Sequence, residues 1–264
     1  MSSPEHARLF GSAILVAGRE VRLARSGDLP GVMDLRGRAF RQGVEDADIH
    51  DASSLHLWVG SEAAPGAPPQ ASLRLRLHPD GAALLTGYCA QTYDLTALSH
   101  QPGAVLELGR LCTEPGSADP DLLRLIWAGV ARLVLRGGVA RLVGCVSFAG
   151  SDPAPLTPAL AFLAARHLGP AATRPAPRAR RVVPFAALAA DARPQGAALV
   201  PPLLRAYLTL GGWVSDHLVI DVDLNTCHVF TCVEVATLPE ARRRTLSALA
   251  QDSANPLAAG DQTR

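Results

Sequence analysis

Residues 121–136 read as one helix, in which Arg124, Ala128, Arg132 and Arg136 recur every four positions and Leu, Ile, Val and Trp127 fill the rest. That spacing predicts a wet stripe on an otherwise apolar cylinder. Gly137-Gly138 stops the helix, and residues 141–148 (RLVGCVSF) follow at once as a nearly unbroken apolar strand. Such a strand is stable where both of its faces are covered. A long helix that runs straight into a two-sided strand restricts the chain to a layered arrangement of sheet and helices.

The rest of the chain fits that restriction. A strand is expected at 21–24, and Asp28-Leu29-Pro30 reads as the N-cap and first turn of a helix reaching Phe40. Residues 55–59 and 71–77 read as strands around a turn-rich stretch, and 83–88 and 105–113 as further strands. Thr157-Pro158 opens a helix closed by Gly169-Pro170, 203–210 is a short helix, and 217–222 and 229–235 form a last strand pair. The expected fold class is α/β (α+β), a mixed sheet with helices on both faces. One domain is expected over residues 1–236, with an Ala-, Pro- and Arg-rich insertion at about 171–197. Residues 237–264 are expected to be a tail, a helical stub followed by disorder.

Bulk properties narrow the function classes. The 264 residues are 48% hydrophobic, enough for a sizeable core, and the net charge is +1. No global field would recruit nucleic acid, so no nucleic-acid partner is expected. Cys89, Cys112, Cys145, Cys227 and Cys232 include no CxxC pair and sit mostly in apolar runs, which speaks against a disulfide framework or a zinc site. No metal is expected. No run of about 18 apolar residues is present, and the N-terminal apolar stretch is too short for a signal peptide. A cytoplasmic protein is the expectation.

The segment 106–110 (LELGR) is where chemistry is most visible. Glu107 and Arg110 lie inside an apolar strand, and burying charge is costly unless it is paired or used. A bulge at Gly109 would bring the two to one face and free backbone N–H groups to polarise a carbonyl. A structural ion pair and a catalytic pair are both open on the residues alone. A second group is Arg36 and Phe40, which share a helix face, with Asp46, Asp48, Asp51, His56 and the strand residue Arg74. Residues 221–226 (DVDLNT) read as a hairpin turn. Basic runs at 174–181 and 242–244 are open to a solvated surface, anionic lipid or an acidic carrier protein. The chain has no GxSxG, P-loop or GxGxxG after a strand, and the loop 113–120 (TEPGSADP) is acidic, which disfavours a bound pyrophosphate.

Five blocks share a pattern: LRGRAF at 35–40, DIHDASSLHLWV at 48–59, LELGRLC at 106–112, GCVSFAGSDP at 144–153 and the long block at 201–230. With them the chain resembles the ornithine–acyl-carrier-protein N-acyltransferases, relatives of the acyl-homoserine-lactone synthases on the GNAT fold. The resemblance covers roughly residues 20–236 and departs at Leu55, Leu224 and Ala71 or Ser72. It implies a mostly antiparallel sheet with a central bulged strand. It also implies transfer of a 3-hydroxy fatty acyl group from acyl carrier protein to the α-amine of ornithine, giving lyso-ornithine lipid. No cofactor is then required beyond the acyl carrier protein co-substrate, and peripheral contact with the cytoplasmic membrane follows from a lipid product. By the same resemblance Glu107, Arg110 and Gly109 are catalytic, and Arg36, Phe40, Asp48, Asp51 and Arg74 bind substrate. Trp127 and Phe148 are assigned to the acyl pocket. Glu107 is expected to be the general base, its pKa raised by partial burial. The alternatives are a lactone-synthase-like enzyme using S-adenosylmethionine and a non-catalytic binding protein on the same fold.

Overall fold

The computed structural model describes residues 8–64, 66–117, 119–186 and 194–250. Strands are β1 (Ile14–Val16), β2 (Arg19–Leu23), β3 (Leu55–Ser61), β4 (Ala71–His78), β5 (Tyr93–Asp94), β6 (Ala104–Thr113), β7 (Val139–Ala149), β8 (Ala176–Pro177), β9 (Val182–Pro184), β10 (Trp213–Val214), β11 (His217–Asp221) and β12 (Thr226–Glu234). Helices are α1 (Leu29–Phe40), α2 (Gly81–Leu84), α3 (Thr96–Ser99), α4 (Pro120–Arg136), α5 (Thr157–Arg166), α6 (Pro202–Thr209) and α7 (Glu240–Ala250). The chain divides into two compact units, the first from residues up to 75, 110–137 and from 243, the second from 76–109 and 138–242.

In the first unit β1, β2, β3 and β4 pair antiparallel in order. The two-residue turn Ala17-Gly18 has φ of 50° and 74°, the primed geometry that matches strand twist. Register sorts the side chains. Arg22, Trp58 and Ser72 align across three strands, and His56 faces Arg74, so all five share one face. Val32 of α1 packs on that face with Ala24 and Trp58. Leu57 points the other way, where α4 comes so close that a Cβ on Gly129 would lie 2.7 Å from Leu57 Cδ1. Helices thus cover both faces of this unit's strands.

The expected wet stripe of α4 is half wrong: Arg124 and Arg136 are exposed, whereas Ala128 and Arg132 are buried. Arg132 is 1% exposed; its Nε donates to Ala250 O at 2.9 Å and its Nη1 to Ser12 O at 2.6 Å. Arg136 Nη1 donates to Phe10 O at 2.7 Å. These guanidinium groups fasten flanking chain to the helix, a long-range use that helical spacing cannot distinguish from solvation. Asp28 also differs from its expected role. Its carboxylate accepts from Arg25 N at 2.6 Å and pairs with Arg22, rather than capping α1.

In the second unit β6 and β7 run parallel from the Ala104↔Val139 pair to the Leu108↔Gly144 pair. β7 then pairs antiparallel with β12, β12 with β11, and β11 with β9. Val143, Val219, Phe230, Cys232 and Trp213 form one core face, packed against Leu84, Cys89, Tyr93, Leu95 and Leu98. Residues 83–88, expected as a strand, instead continue a helical turn that Asp80 caps by accepting from Ala83 N at 2.8 Å. The cap won over an apolar run that reads equally well as β. The expected insertion contributes β8, which pairs with β5, and β9; its residues 187–193 lie outside the described residues, as do 251–264 of the expected tail.

Candidate functional site

Two groups of functional side chains form, one in each unit. In the first, the loop after α1 folds back over the helix, and Gly37 permits it: a Cβ there would meet Val44 O at 2.7 Å. The return brings three aspartates onto four arginines, Arg41 among them, whose Nε donates to Asp46 Oδ1 at 3.0 Å. Arg36, fully buried, donates from Nε to Asp46 Oδ2 (3.0 Å), from Nη1 to Asp51 Oδ1 (2.6 Å) and from Nη2 to Asp51 Oδ2 (3.2 Å). Arg74 Nη1 donates to Asp48 Oδ1 at 2.6 Å and Asp51 Oδ1 at 3.1 Å. Arg110 Nε donates to Asp46 Oδ2 at 2.8 Å, and its Nη2 lies 3.6 Å from Asp48 Oδ2. Phe40 stands with its ring centroid 5.8 Å from the Arg110 guanidinium.

Burial opposes ionisation of Asp51, but Arg36, the Asp48 N–H and Arg74 outweigh it and hold the pKa down at about 2. His56 goes the other way for a base. Burial and the nearby Arg36 press its pKa down to about 4, so it is neutral at pH 7. His56 Nδ1 has no hydrogen-bond partner among the described residues, and the ring borders a cleft of about 440 Å³ lined also by Glu20, Arg22 and Asp51. The sequence-level candidates Arg36, Phe40, Asp48, Asp51, Arg74 and Arg110 therefore meet in one group, with Asp46 as its pivot.

In the second unit Glu107 is 5% exposed. Its Oε2 accepts from Tyr88 N (3.2 Å) and lies 3.1 Å from His78 Nε2; its Oε1 accepts from Cys89 N at 2.7 Å. Burial alone would raise the carboxyl pKa, as expected from the sequence. The structure reverses that expectation, because the His78 bond and the Cys89 N–H favour the anion and hold the pKa below its ordinary value. Gly87 allows the approach, since a Cβ there would fall 2.5 Å from Glu107 Oε2. Sequence reading missed His78, Gly87 and the Tyr88–Cys89 amides. Strand parity was the available signal for His78, which follows Arg74 by four residues on β4.

The backbone irregularity near Gly109 lies one residue on, at Arg110, whose φ is 52°. Trp127 is half-buried on α4, and Phe148 is a buried core residue of β7 paired with Cys227. The loop 113–120 is spent on the protein itself: Arg38 holds Glu114 (3.0 and 2.7 Å), and Asp119 caps α4 by accepting from Asp121 N at 2.9 Å. Part of the basic run is likewise engaged. Arg174 pairs with Asp216 at 3.1 Å, and Arg178 donates to Ala90 O at 2.9 Å. Residues 221–226 close the β11–β12 hairpin, with Leu224 N donating to Asp221 Oδ1 at 3.0 Å. Among the described residues no group of His, Cys, Asp or Glu gathers to hold a metal ion, and no helix is long and apolar enough to cross a membrane.

An acetyltransferase (GNAT) domain model matches residues 31–128. The L-ornithine N(alpha)-acyltransferase of Brucella abortus is 31% identical over 253 residues, covering 85% of this chain and 88% of that protein. The enzyme of the same name from Rhodobacter capsulatus is 36% identical over 158 residues; that match spans 59% of this chain and 60% of the relative's length. Among solved structures, an N-acyl amino acid synthase from uncultured soil microbes aligns with a TM-score of 0.47 at 10% identity, over 83% of this chain and 92% of that one. The expected GNAT-like fold, a mixed and mostly antiparallel sheet with helices, is that of the matched domain family.

Proposed function

Because the chain belongs to the L-ornithine N(alpha)-acyltransferase family, we propose that it forms an amide between a 3-hydroxy fatty acyl group, delivered as a thioester on acyl carrier protein, and the α-amine of ornithine. The product is lyso-ornithine lipid. The observation that carries the chemistry is Glu107, a buried carboxylate kept ionised by His78 and by two backbone N–H groups.

An amine attacks a thioester only when neutral, and α-amines are mostly protonated at pH 7. Glu107 takes the proton, directly or through one water; it is anionic at neutral pH, although the bonds that lower its pKa also make it a weaker base. Nitrogen then bonds to the carbonyl carbon, the tetrahedral oxyanion is met by backbone N–H groups near Gly109, and the C–S bond breaks as the carrier sulfur leaves as a thiol with the proton that the nitrogen gives up. The ring of Arg36, Asp46, Asp51, Arg74 and Arg110 steadies the loop that follows α1. Asp48 belongs to the same group: its Oδ2 is buried, accepts no hydrogen bond among the described residues and lies 3.6 Å from Arg110 Nη2.

Two observations favour a carrier-protein donor over a coenzyme A pyrophosphate. The N-terminus of α4 is already capped by the Asp119 carboxylate, and Glu114 stands in the preceding loop. The basic residues of 174–181 left beyond Arg174 and Arg178 are suited to an acidic carrier or the inner membrane face.

The test is incubation of the purified protein with 3-hydroxyacyl-acyl carrier protein and ornithine, read by mass spectrometry. Lyso-ornithine lipid is the expected product. An intact donor in the presence of folded protein and ornithine, or transfer to a different amine, would overturn the assignment of acceptor.

A further inference from the structure

All five cysteines are thiols, and two of them meet. Cys145 lies on β7, on the same face as Val143, and Cys89 opens a short turn across the core from it. Their sulfurs are 3.6 Å apart. A disulfide needs about 2.0 Å, so closure asks for about 1.6 Å of relative movement, shared between side-chain rotation and the turn that carries Cys89. Neither thiol has a part in the transfer chemistry.

We propose that Cys145 and Cys89 form an oxidant-sensitive dithiol, in which a hydroperoxide oxidises Cys145 and Cys89 resolves the product to a disulfide. The two thiols differ in the way such a pair requires. Cys89 is fully buried, whereas Cys145 is partly open to solvent, so a small oxidant reaches Cys145 first. The contact with Cys89 lowers the Cys145 pKa, burial opposes the shift, and the neighbouring His228 adds to the lowering. The Cys89 thiol is pushed up by the same bond and by burial. His228 is itself fixed by Tyr93, whose hydroxyl donates to His228 O at 2.9 Å and lies 3.1 Å from Nδ1. A thiolate that is accessible and adjacent to a second thiol is the arrangement of redox-sensing cysteines.

The steps balance. The Cys145 thiolate attacks one oxygen of the hydroperoxide, the O–O bond breaks, and the second oxygen leaves as hydroxide or alkoxide. Cys145 is now a sulfenic acid. The Cys89 sulfur attacks the Cys145 sulfur, the S–OH bond breaks, and water departs with the Cys89 proton. Two electrons have passed from the dithiol to the peroxide.

Cys89 also links this event to Glu107. Its amide N–H is the 2.7 Å donor to Glu107 Oε1, while its side chain is the resolving thiol. Drawing the sulfur toward β7 shifts the turn that holds the carboxylate. The loss of activity expected on oxidation rests on the base assignment for Glu107; disulfide formation does not.

The test treats the native full-length protein with hydrogen peroxide, alkylates the remaining thiols, and maps peptides. A Cys89–Cys145 cross-linked peptide that dithiothreitol removes is expected, with Cys112, Cys227 and Cys232 alkylated. Turnover is expected to fall at least tenfold and to return on reduction. Cys145 as sulfenic or sulfinic acid beside an alkylated Cys89 would overturn the proposal, as would both cysteines remaining alkylated under peroxide. In Cys89→Ala the resolving thiol is gone, and Cys145 is expected to stop at the sulfenic or sulfinic stage. If the cross-link forms but no amide is made from any donor, the functional assignment fails and the dithiol stands.

Discussion

Arg110 reaches Asp46 from a backbone that few side chains adopt: its Nε donates to Asp46 Oδ2 at 2.8 Å while its φ is 52°. The left-handed region costs a residue bearing a Cβ about 1–2 kcal/mol, and here a charge-assisted bond to a buried carboxylate offsets that cost. Arg110→Ala loses the bond and keeps the strain, whereas Arg110→Gly loses both. The glycine variant should therefore be the more stable of the two by about 1 kcal/mol. Equal urea midpoints for the pair would remove the strain from the account.

Arg36 is the group whose loss the fold tolerates least. It is fully buried and holds both Asp46 and Asp51. Arg36→Ala removes the buried partner that two carboxylates share, while Arg41 and Arg110 still hold Asp46 and Arg74 still holds Asp51, and should cost about 3 kcal/mol. Arg36→Lys keeps one charge but cannot reproduce the forked donation, so an intermediate loss is expected. Denaturant midpoints with unchanged slope would report this directly.

Acid should weaken the fold in two separate ranges. His56 has a folded pKa of about 4 against an ordinary 6.5, so the unfolded chain binds the extra proton between those values. Its contribution is complete above pH 6.5 and is lost as pH falls toward 4. Asp51, at about 2 against 3.8, contributes fully above 3.8 and loses that contribution as pH falls toward 2. Unfolding free energy measured across pH should fall with acid in both ranges. In His56→Gln the upper decline should disappear and the lower remain.

Gly87 should matter to turnover as much as the carboxylate it accommodates. A Cβ at that position would press on Glu107 Oε2 from 2.5 Å, with the turn amides and His78 filling the other sides. Gly87→Ala is expected to displace Glu107 and lower kcat about 100-fold or more, and Glu107→Gln to do the same by removing the base. Thermal unfolding of both variants should remain cooperative. Full activity in Glu107→Gln would move the base to another group.

The parts legible in the sequence were those that local pattern encodes. Periodicity placed α1, α4 and most strands, and two charges inside the apolar run of β6 marked Glu107 and Arg110 before any contact was visible. What stayed hidden depends on chain that arrives from elsewhere. Arg132 looked like a solvated residue because Ser12 and Ala250 come to it from far along the chain. The apolar run 83–88 was ambiguous until Asp80 capped a helical turn. Burial alone argued for a raised Glu107 pKa; the opposing amides of Tyr88 and Cys89 come from a turn no spacing announces. Within the candidate site, Asp46 was visible as one of several loop acids, but its place between Arg36 and Arg110 follows only from the fold-back that Gly37 permits.

Four arginines (Arg36, Arg41, Arg74 and Arg110) and three aspartates in the first unit interlock around Asp46, Asp48 and Asp51. For enzyme engineering this group behaves as one indivisible part. A library that randomises a single member to retune the acceptor would mainly sample variants carrying an orphaned charge, and a screen for activity would discard them as unstable. Coordinated exchanges, such as Asp48 together with Arg74, leave the net charge of the group unchanged and let the selection act on substrate choice.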